Sequence, residues 1–216
     1  MWPSGSERQV DYTMIVIGIL ASHEGTTCQA VLDACKADLL PAKIGIVISN
    51  NMDSGALRRA QSAGIQIAHL SGQTHQNPEP LDAAICASLQ AHKIDIVLLA
   101  GYMKKLGPKT LGAFRNRILN THPALLPKYG GKGMYGLRVH QAVLAAGDSV
   151  TGVSIHLVDE EYDTGRIIAQ CSVPVLCDDT PETLGTRVQQ HERMFVVEVL
   201  TGIAEGTIHL PNFRPE

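Results

Sequence analysis

Aromatic side chains make up only 4% of the 216 residues. A core of any size must therefore be filled by Val, Ile, Leu and Ala, a bias that favours buried parallel strands, which read as continuous aliphatic runs. An excess of one charge is missing too: 18 basic against 21 acidic residues leave −3 at neutral pH. With no basic stripe either, nucleic-acid binding is disfavoured. No apolar run reaches the roughly 18 residues of a membrane-spanning helix. The opening MWPSGSERQVDYT has no apolar middle of the kind a signal peptide needs. The five cysteines, Cys28, Cys35, Cys86, Cys171 and Cys177, include no C-x-x-C pair. They read as reduced thiols of a cytoplasmic protein, not as a zinc site or a disulfide frame.

At 44% hydrophobic and 18% charged residues, the chain can bury a sizeable core, and wholesale disorder is excluded. Residues 1–12 read as a disordered leader, and 13–216 as one domain, a usual domain being about 100–200 residues. Aliphatic runs of strand length occur at 14–20, 42–50, 65–70 and 94–101, separated by helix-like stretches at 26–37, 54–63 and 80–92. Gly64 suits the position just past a helix end. Repetition of strand and helix predicts an α/β fold: an open, mostly parallel, Rossmann-like sheet with helices on both faces. Ligands of such sheets bind beyond the carboxyl ends of the strands, which directs attention to residues 21–27, 50–54 and 101–106.

The second half is less regular. A strand at 117–120 runs into a long Pro- and Gly-containing loop, and loops of that length are usually functional. A helix over 138–147 and a strand over 151–158 follow. A strand over 166–175 could return antiparallel as a hairpin. Asp179 or Thr180 can cap the last long helix, with Pro181 at its first position.

Two nucleotide signatures fail. The turn after the first strand lacks G-x-G-x-x-G, because Leu20 and Ser22 follow Gly18. Lys132 in GGKG has neither the upstream glycine nor the following Ser or Thr of a P-loop. What that first turn does offer is Gly25-Thr26-Thr27 opening a helix, a plausible phosphate cradle of free N–H groups and two hydroxyls. The alternative is ordinary capping by Thr26.

The sharper signal is Asn120-Thr121-His122-Pro123. Residues two apart on an extended segment share a side, and Pro123 keeps His122 out of the helical region. A carboxamide can stabilise a developing oxyanion, and an imidazole can move a proton near neutral pH. Asp163, in the acidic turn after the strand carrying Ser154 and His156, could raise the basicity of His122 if parallel topology brings it close. The alternatives are a surface histidine and a solvated acidic loop.

NTHPALLPKYGGKGMYG, the downstream TGVSIHLVDEEYDTG and the upstream LLAGYMKKL together resemble the phosphoribosylglycinamide formyltransferase family, over about residues 14–210. The N-x-H-P-x-L-L-P segment is similar to the hallmark of the wider folate-dependent formyltransferases. Methionyl-tRNA formyltransferases add a C-terminal domain and formyltetrahydrofolate hydrolases an N-terminal one, so length favours the first family. The resemblance implies formyl transfer from 10-formyltetrahydrofolate, as co-substrate and without metal, to the amine of glycinamide ribonucleotide. The alternatives it leaves are a different amine acceptor and a hydrolase that uses water.

By the same resemblance the catalytic residues fall on Asn120, His122 and Asp163, with protonated His122 and Asn120 holding the oxyanion. Ribonucleotide contacts fall on Gly25, Thr26, Thr27, Pro123, Gln189 and Glu192. Folate contacts fall on Met103, Lys104, Leu106 and Asn120, while Ser154 and His156 support the site. The expected partners are small molecules, not nucleic acid or membrane, and the expected state is monomer or homodimer. The phosphate turn departs from the family's usual S-G-x-G-S/T-N at His23, Glu24 and Thr27.

Overall fold

The computed structural model describes residues 14–213, so the expected leader at 1–12 lies outside the described residues. Seven strands form one sheet: β1 (Ile15–Leu20), β2 (Ala42–Ser49), β3 (Ile67–His69), β4 (Ile96–Leu99), β5 (Ile118–His122), β6 (Val150–Leu157) and β7 (Ile167–Pro174). Their order is β3-β2-β1-β4-β5-β6-β7. The first five run parallel, β6 is antiparallel to both β5 and β7, and the expected C-terminal hairpin is present.

Helices α1 (Thr26–Lys36), α2 (Gly55–Ser62), α3 (Pro78–Ala91) and α4 (Pro108–Ala113) alternate with the parallel strands, and α5 (Leu137–Ala145) and α6 (Pro181–Ala204) follow. Alternation along the strands builds a core on each face. Ile15, Ile17 and Ile19 of β1, with Ile96 and Leu98 of β4, pack under α1, α2 and α6. Leu20, Val97 and Leu99 meet Ile85 and Leu89 of α3 on the other face. Burying such aliphatic side chains stabilises the fold by about 1.5–3 kcal/mol each.

Three expectations needed adjustment. Helix α4, six residues long, is too short to show a period in the sequence. It is fixed instead by buried Asp82, whose carboxylate accepts from the N–H groups of Lys109 and Thr110. β5 continues through His122 instead of ending at Asn120. Thr26 caps nothing: α1 begins after Gly25, which adopts the left-handed conformation (φ 67°). A Cβ there would meet Ala56 Cα at 2.6 Å, so only glycine suits the turn. Asp179 and Thr180 both serve α6, Thr180 capping it and Asp179 accepting from the Thr183 hydroxyl.

Candidate active site

The antiparallel ladder between β5 and β6 sets Asn120 opposite His156 and His122 opposite Ser154. The Asn120 carboxamide donates to His156 Nε2 at 3.0 Å. Ser154, fully buried, donates to the Ala124 carbonyl at 2.6 Å and accepts from the Leu126 N–H at 2.9 Å. Gln170 of β7 donates both to Ser154 Oγ and to the Leu126 carbonyl. The loop leaving His122 is thereby fastened to the sheet at its base.

Asp163 reaches this cluster, although not by the parallel arrangement expected for it. Because β6 runs antiparallel to β5, its carboxyl end points away from that of β5, and the β6–β7 loop folds back over the site. Gly165 permits the fold-back: a Cβ there would collide with the Leu157 carbonyl. Asp163, at φ 58°, then places Oδ2 3.4 Å from His122 Nδ1 and Oδ1 3.5 Å from His156 Nε2. Oδ2 also accepts from the Gly131 N–H at 2.8 Å.

The tautomers follow from the partners. His122 Nε2 lies 2.7 Å from the Tyr129 carbonyl and His156 Nδ1 lies 2.8 Å from the Leu157 carbonyl. A carbonyl only accepts, so those two nitrogens carry the protons. The nitrogens facing Asp163 are bare in the neutral rings. Burial lowers the pKa of His122 below its ordinary 6.5 even though Asp163 and the Tyr129 carbonyl oppose the shift. The shift favours the neutral ring, whereas the resemblance implies an imidazolium during the reaction. For Asp163, burial alone would raise the pKa, but His156, the Gly131 amide and His122 together hold it below its ordinary range.

A second group of residues meets beside α1. Glu192 of α6 accepts from the hydroxyls of Thr27 (2.9 Å) and Thr121 (3.0 Å). Burial pushes its carboxyl pKa up, against the pull of those two hydroxyls and Arg193. The Thr27 hydroxyl is therefore engaged, and the N–H groups that open α1 remain as the free donors of the turn. Gln189, one turn earlier on α6, is exposed. Glu24, the acidic departure in the turn, has its carboxylate 4.0 Å from Arg58 and largely in solvent.

The carboxyl ends of β1, β2 and β4 also frame a polar cavity of about 460 Å³, lined by Ser22, His23, Asn50, Asp53, Met103 and Lys104 among others. Met103 is pinned by its N–H to Ser22 Oγ at 2.8 Å. Leu106 is 6% exposed and packs in the apolar cluster with Tyr102 and Phe114. Tyr129 and Gln170 escaped sequence reasoning. Tyr129 acts through its carbonyl, and Gln170 becomes a neighbour only when the hairpin forms. Among the described residues no cluster of potential metal ligands occurs, and no helix is long and apolar enough to cross a membrane.

Proton-handling groups gathered in the carboxyl-end crevice of a doubly wound sheet define the class as an α/β enzyme. Residues 15–200 match the family described as formyl transferase, and the chain belongs to that family. It is similar to a phosphoribosylglycinamide formyltransferase of Haemophilus influenzae, 39% identical over 90% of this chain and 89% of that protein. A chloroplastic enzyme of the same name from Arabidopsis thaliana is 38% identical over 89% of this chain, which spans 66% of that relative's length. Among solved structures, glycinamide ribonucleotide transformylase 1 of Symbiobacterium toebii aligns with a TM-score of 0.87 at 37% identity, over 98% of each chain.

Proposed function

We propose that the chain transfers the formyl group of 10-formyltetrahydrofolate to the primary amine of glycinamide ribonucleotide, a step of purine biosynthesis, as a single domain over residues 13–216 in the cytoplasm. The observation that carries the reading is the cluster of Asn120, His122, Asp163 and His156, linked to the amino end of α1 through Glu192 of α6. Glu192 makes that connection, since it bonds to Thr27 of α1 and to Thr121, the residue between Asn120 and His122. Relatives named for this activity supply the acceptor, and the motif resemblance supplies the folate donor.

In this reading the amine attacks the formyl carbon, and the carbonyl becomes an oxyanion. Asn120 is the donor for that charge, because one of its two amide hydrogens serves His156 and the other has no partner among the described residues. Preorganised donors of this type contribute about 10²–10³ in rate. The attacking nitrogen must then lose a proton. Neutral His122 can take it at Nδ1, where the Asp163 carboxylate stabilises the resulting imidazolium. The proton returns to the folate nitrogen as the carbon–nitrogen bond to the formyl group breaks. The amine thus gives up one proton and the folate gains one.

Binding follows the same geometry. The N–H groups at Thr26 and Thr27, after the Gly25 turn, face a phosphate, and Glu192, Gln189 and Pro123 border the ribose and amine. Met103 and Lys104 line the donor side, and Leu106 supports them from the core. Ser154 and His156 hold the loop and the carboxamide. No step requires a metal. The test is deformylation of 10-formyltetrahydrofolate with glycinamide ribonucleotide, with other primary amines and with water alone. Strict dependence on the ribonucleotide is expected; equal turnover in water would replace this reading with a hydrolase.

A further inference from the structure

Arg193 of α6 has no role in the chemistry above, and its surroundings are unusual. One guanidinium nitrogen, Nη2, donates to Gln189 Oε1 at 3.2 Å. Nε is buried and has no hydrogen-bond partner among the described residues. None of the ion pairs among them includes Arg193. A buried charged donor left unsatisfied is costly and calls for an acceptor.

Its location says which acceptor. Helices α1 and α6 lie alongside each other and run the same way: Thr27 touches Glu192 near one end, and Thr201 donates to the Leu39 carbonyl near the other. Side chains on a helix lean toward its amino end, and the bond to Gln189 shows that Arg193 does. Arg193 follows Glu192, whose carboxylate meets Thr27 in the first turn of α1, and its charge acts on that carboxylate. That turn starts from Gly25 with no side-chain cap and no acidic residue. The N–H groups of Thr26, Thr27 and Cys28 have no acceptor among the described residues. Donors on a guanidinium and on a helix amino end thus flank the same contact between Thr27 and Glu192. The carboxylates nearby do not satisfy them: Glu192 is held by two threonine hydroxyls, and Glu24 leans out toward Arg58.

We propose that Arg193 is a binding residue for the phosphate of the acceptor. The guanidinium closes on the phosphate from α6 while the amides of residues 26–28 hold it from α1, and Gln189 keeps the guanidinium in place. Arg suits this task because its planar fork offers paired donors to phosphate oxygens, which Lys cannot reproduce. The inference rests on the acceptor reading given above and deepens it: the positive charge of Arg193 offsets the negative charge of Glu24, so a turn with an acidic residue can still select a phosphorylated amine.

The experiment compares wild type with Arg193→Met and Arg193→Lys, using glycinamide ribonucleotide and its dephosphorylated nucleoside. Inorganic phosphate binding is measured on the same three proteins by calorimetry, which needs no turnover. Arg193→Met should raise KM for the ribonucleotide by about 10–100-fold, the loss of a hydrogen bond to a charged group. The KM for the nucleoside should move less than twofold, and inorganic phosphate should bind more weakly in parallel. Arg193→Lys should recover part of both losses. An equal rise in KM for the two acceptors, or phosphate binding that is absent in wild type or unaltered in Arg193→Met, overturns the proposal. Failure of wild type to turn over the ribonucleotide would overturn the acceptor reading instead, and the phosphate titrations would still decide Arg193.

Discussion

Asp163 Oδ2 lies 3.4 Å from His122 Nδ1, the ring nitrogen left bare once Nε2 donates to the Tyr129 carbonyl. A carboxylate and a lone pair facing each other gain nothing until a proton arrives between them. On its other side Asp163 faces His156 Nε2 at 3.5 Å, the nitrogen that accepts from the Asn120 carboxamide. The cluster is therefore arranged to receive a proton, as an attacking amine requires it to be. His122→Ala should cost about 10²–10⁴ in kcat, the usual contribution of a positioned acid–base group, with little loss of folate binding. A variant keeping more than half of wild-type turnover would remove His122 from the mechanism.

The pH profile follows from the direction of the His122 shift. The folded ring titrates below 6.5, mainly through burial, so the neutral base persists under mildly acid conditions. The acid limb of kcat should fall below the pH expected of an exposed histidine. Stability carries the same sign. Below 6.5 the unfolded chain binds a proton that the folded ring resists, so the His122 contribution is complete above 6.5 and is lost as pH falls through the lower folded value. Thermal melts between pH 5 and 8 should show that dependence diminished in His122→Asn.

Asp163→Asn keeps the shape of the side chain but removes the charge that favours the imidazolium. Its amide could also donate to the bare Nδ1 and hold the ring neutral. The His122 pKa, followed by NMR, should drop further, and kcat should fall by about 10²-fold. An unchanged or higher pKa would show that the two residues are uncoupled.

Much of this site was legible because its chemistry lies in short segments. Asn120 and His122 share a strand face, and Pro123 marks where the chain must leave it. The β-α alternation followed from aliphatic runs such as Ile15–Leu20 and Ile96–Leu99, since buried parallel strands have no polar face to hide them. Asp163 was placed correctly for the wrong reason: proximity comes from the fold-back at Gly165, not from a parallel strand. Thr27 read as a phosphate hydroxyl, yet its partner is Glu192, 165 residues away. Leu106 read as a folate contact, and its side chain packs in the apolar cluster with Tyr102 and Phe114. No local pattern encodes contacts of these kinds.

Tyr129 supplies a prediction that sequence could not. Its carbonyl fixes the His122 tautomer, while its hydroxyl donates to Asp148 Oδ2 at 2.8 Å and Lys128 pairs with the same carboxylate. Tyr129→Phe releases the outer anchor without touching the inner bond. Small misplacements of a reacting group are costly, so kcat should drop roughly two- to tenfold, while thermal stability changes little because the anchor is solvent-accessible. Asp148→Asn should mimic the effect, the loss falling on kcat more than on either KM. Full activity in both variants would mean the loop is held without this anchor.

Glu192 should show stability and function pulling apart. Burial is the main cause of its raised pKa, opposed by the Thr27 and Thr121 hydroxyls and by Arg193. A carboxyl whose folded pKa is raised contributes stability that is complete below its ordinary 4.5 and is lost as pH rises through the folded value. At neutral pH the charged form is therefore a burden on the fold. Glu192→Gln keeps an oxygen to accept from both threonines and removes that burden. Its Tm should exceed wild type near pH 7 by a few degrees, about 2–4 °C per kcal/mol for a domain of this size. The gap should close toward pH 4. If Glu192 also holds the ribose hydroxyls, the same variant should raise KM for the ribonucleotide about tenfold, since an amide accepts hydrogen bonds more weakly than a carboxylate. Melts and kinetics on one preparation decide the matter: a lower Tm at neutral pH would show that the charge stabilises the fold, and an unchanged KM would release Glu192 from the acceptor site.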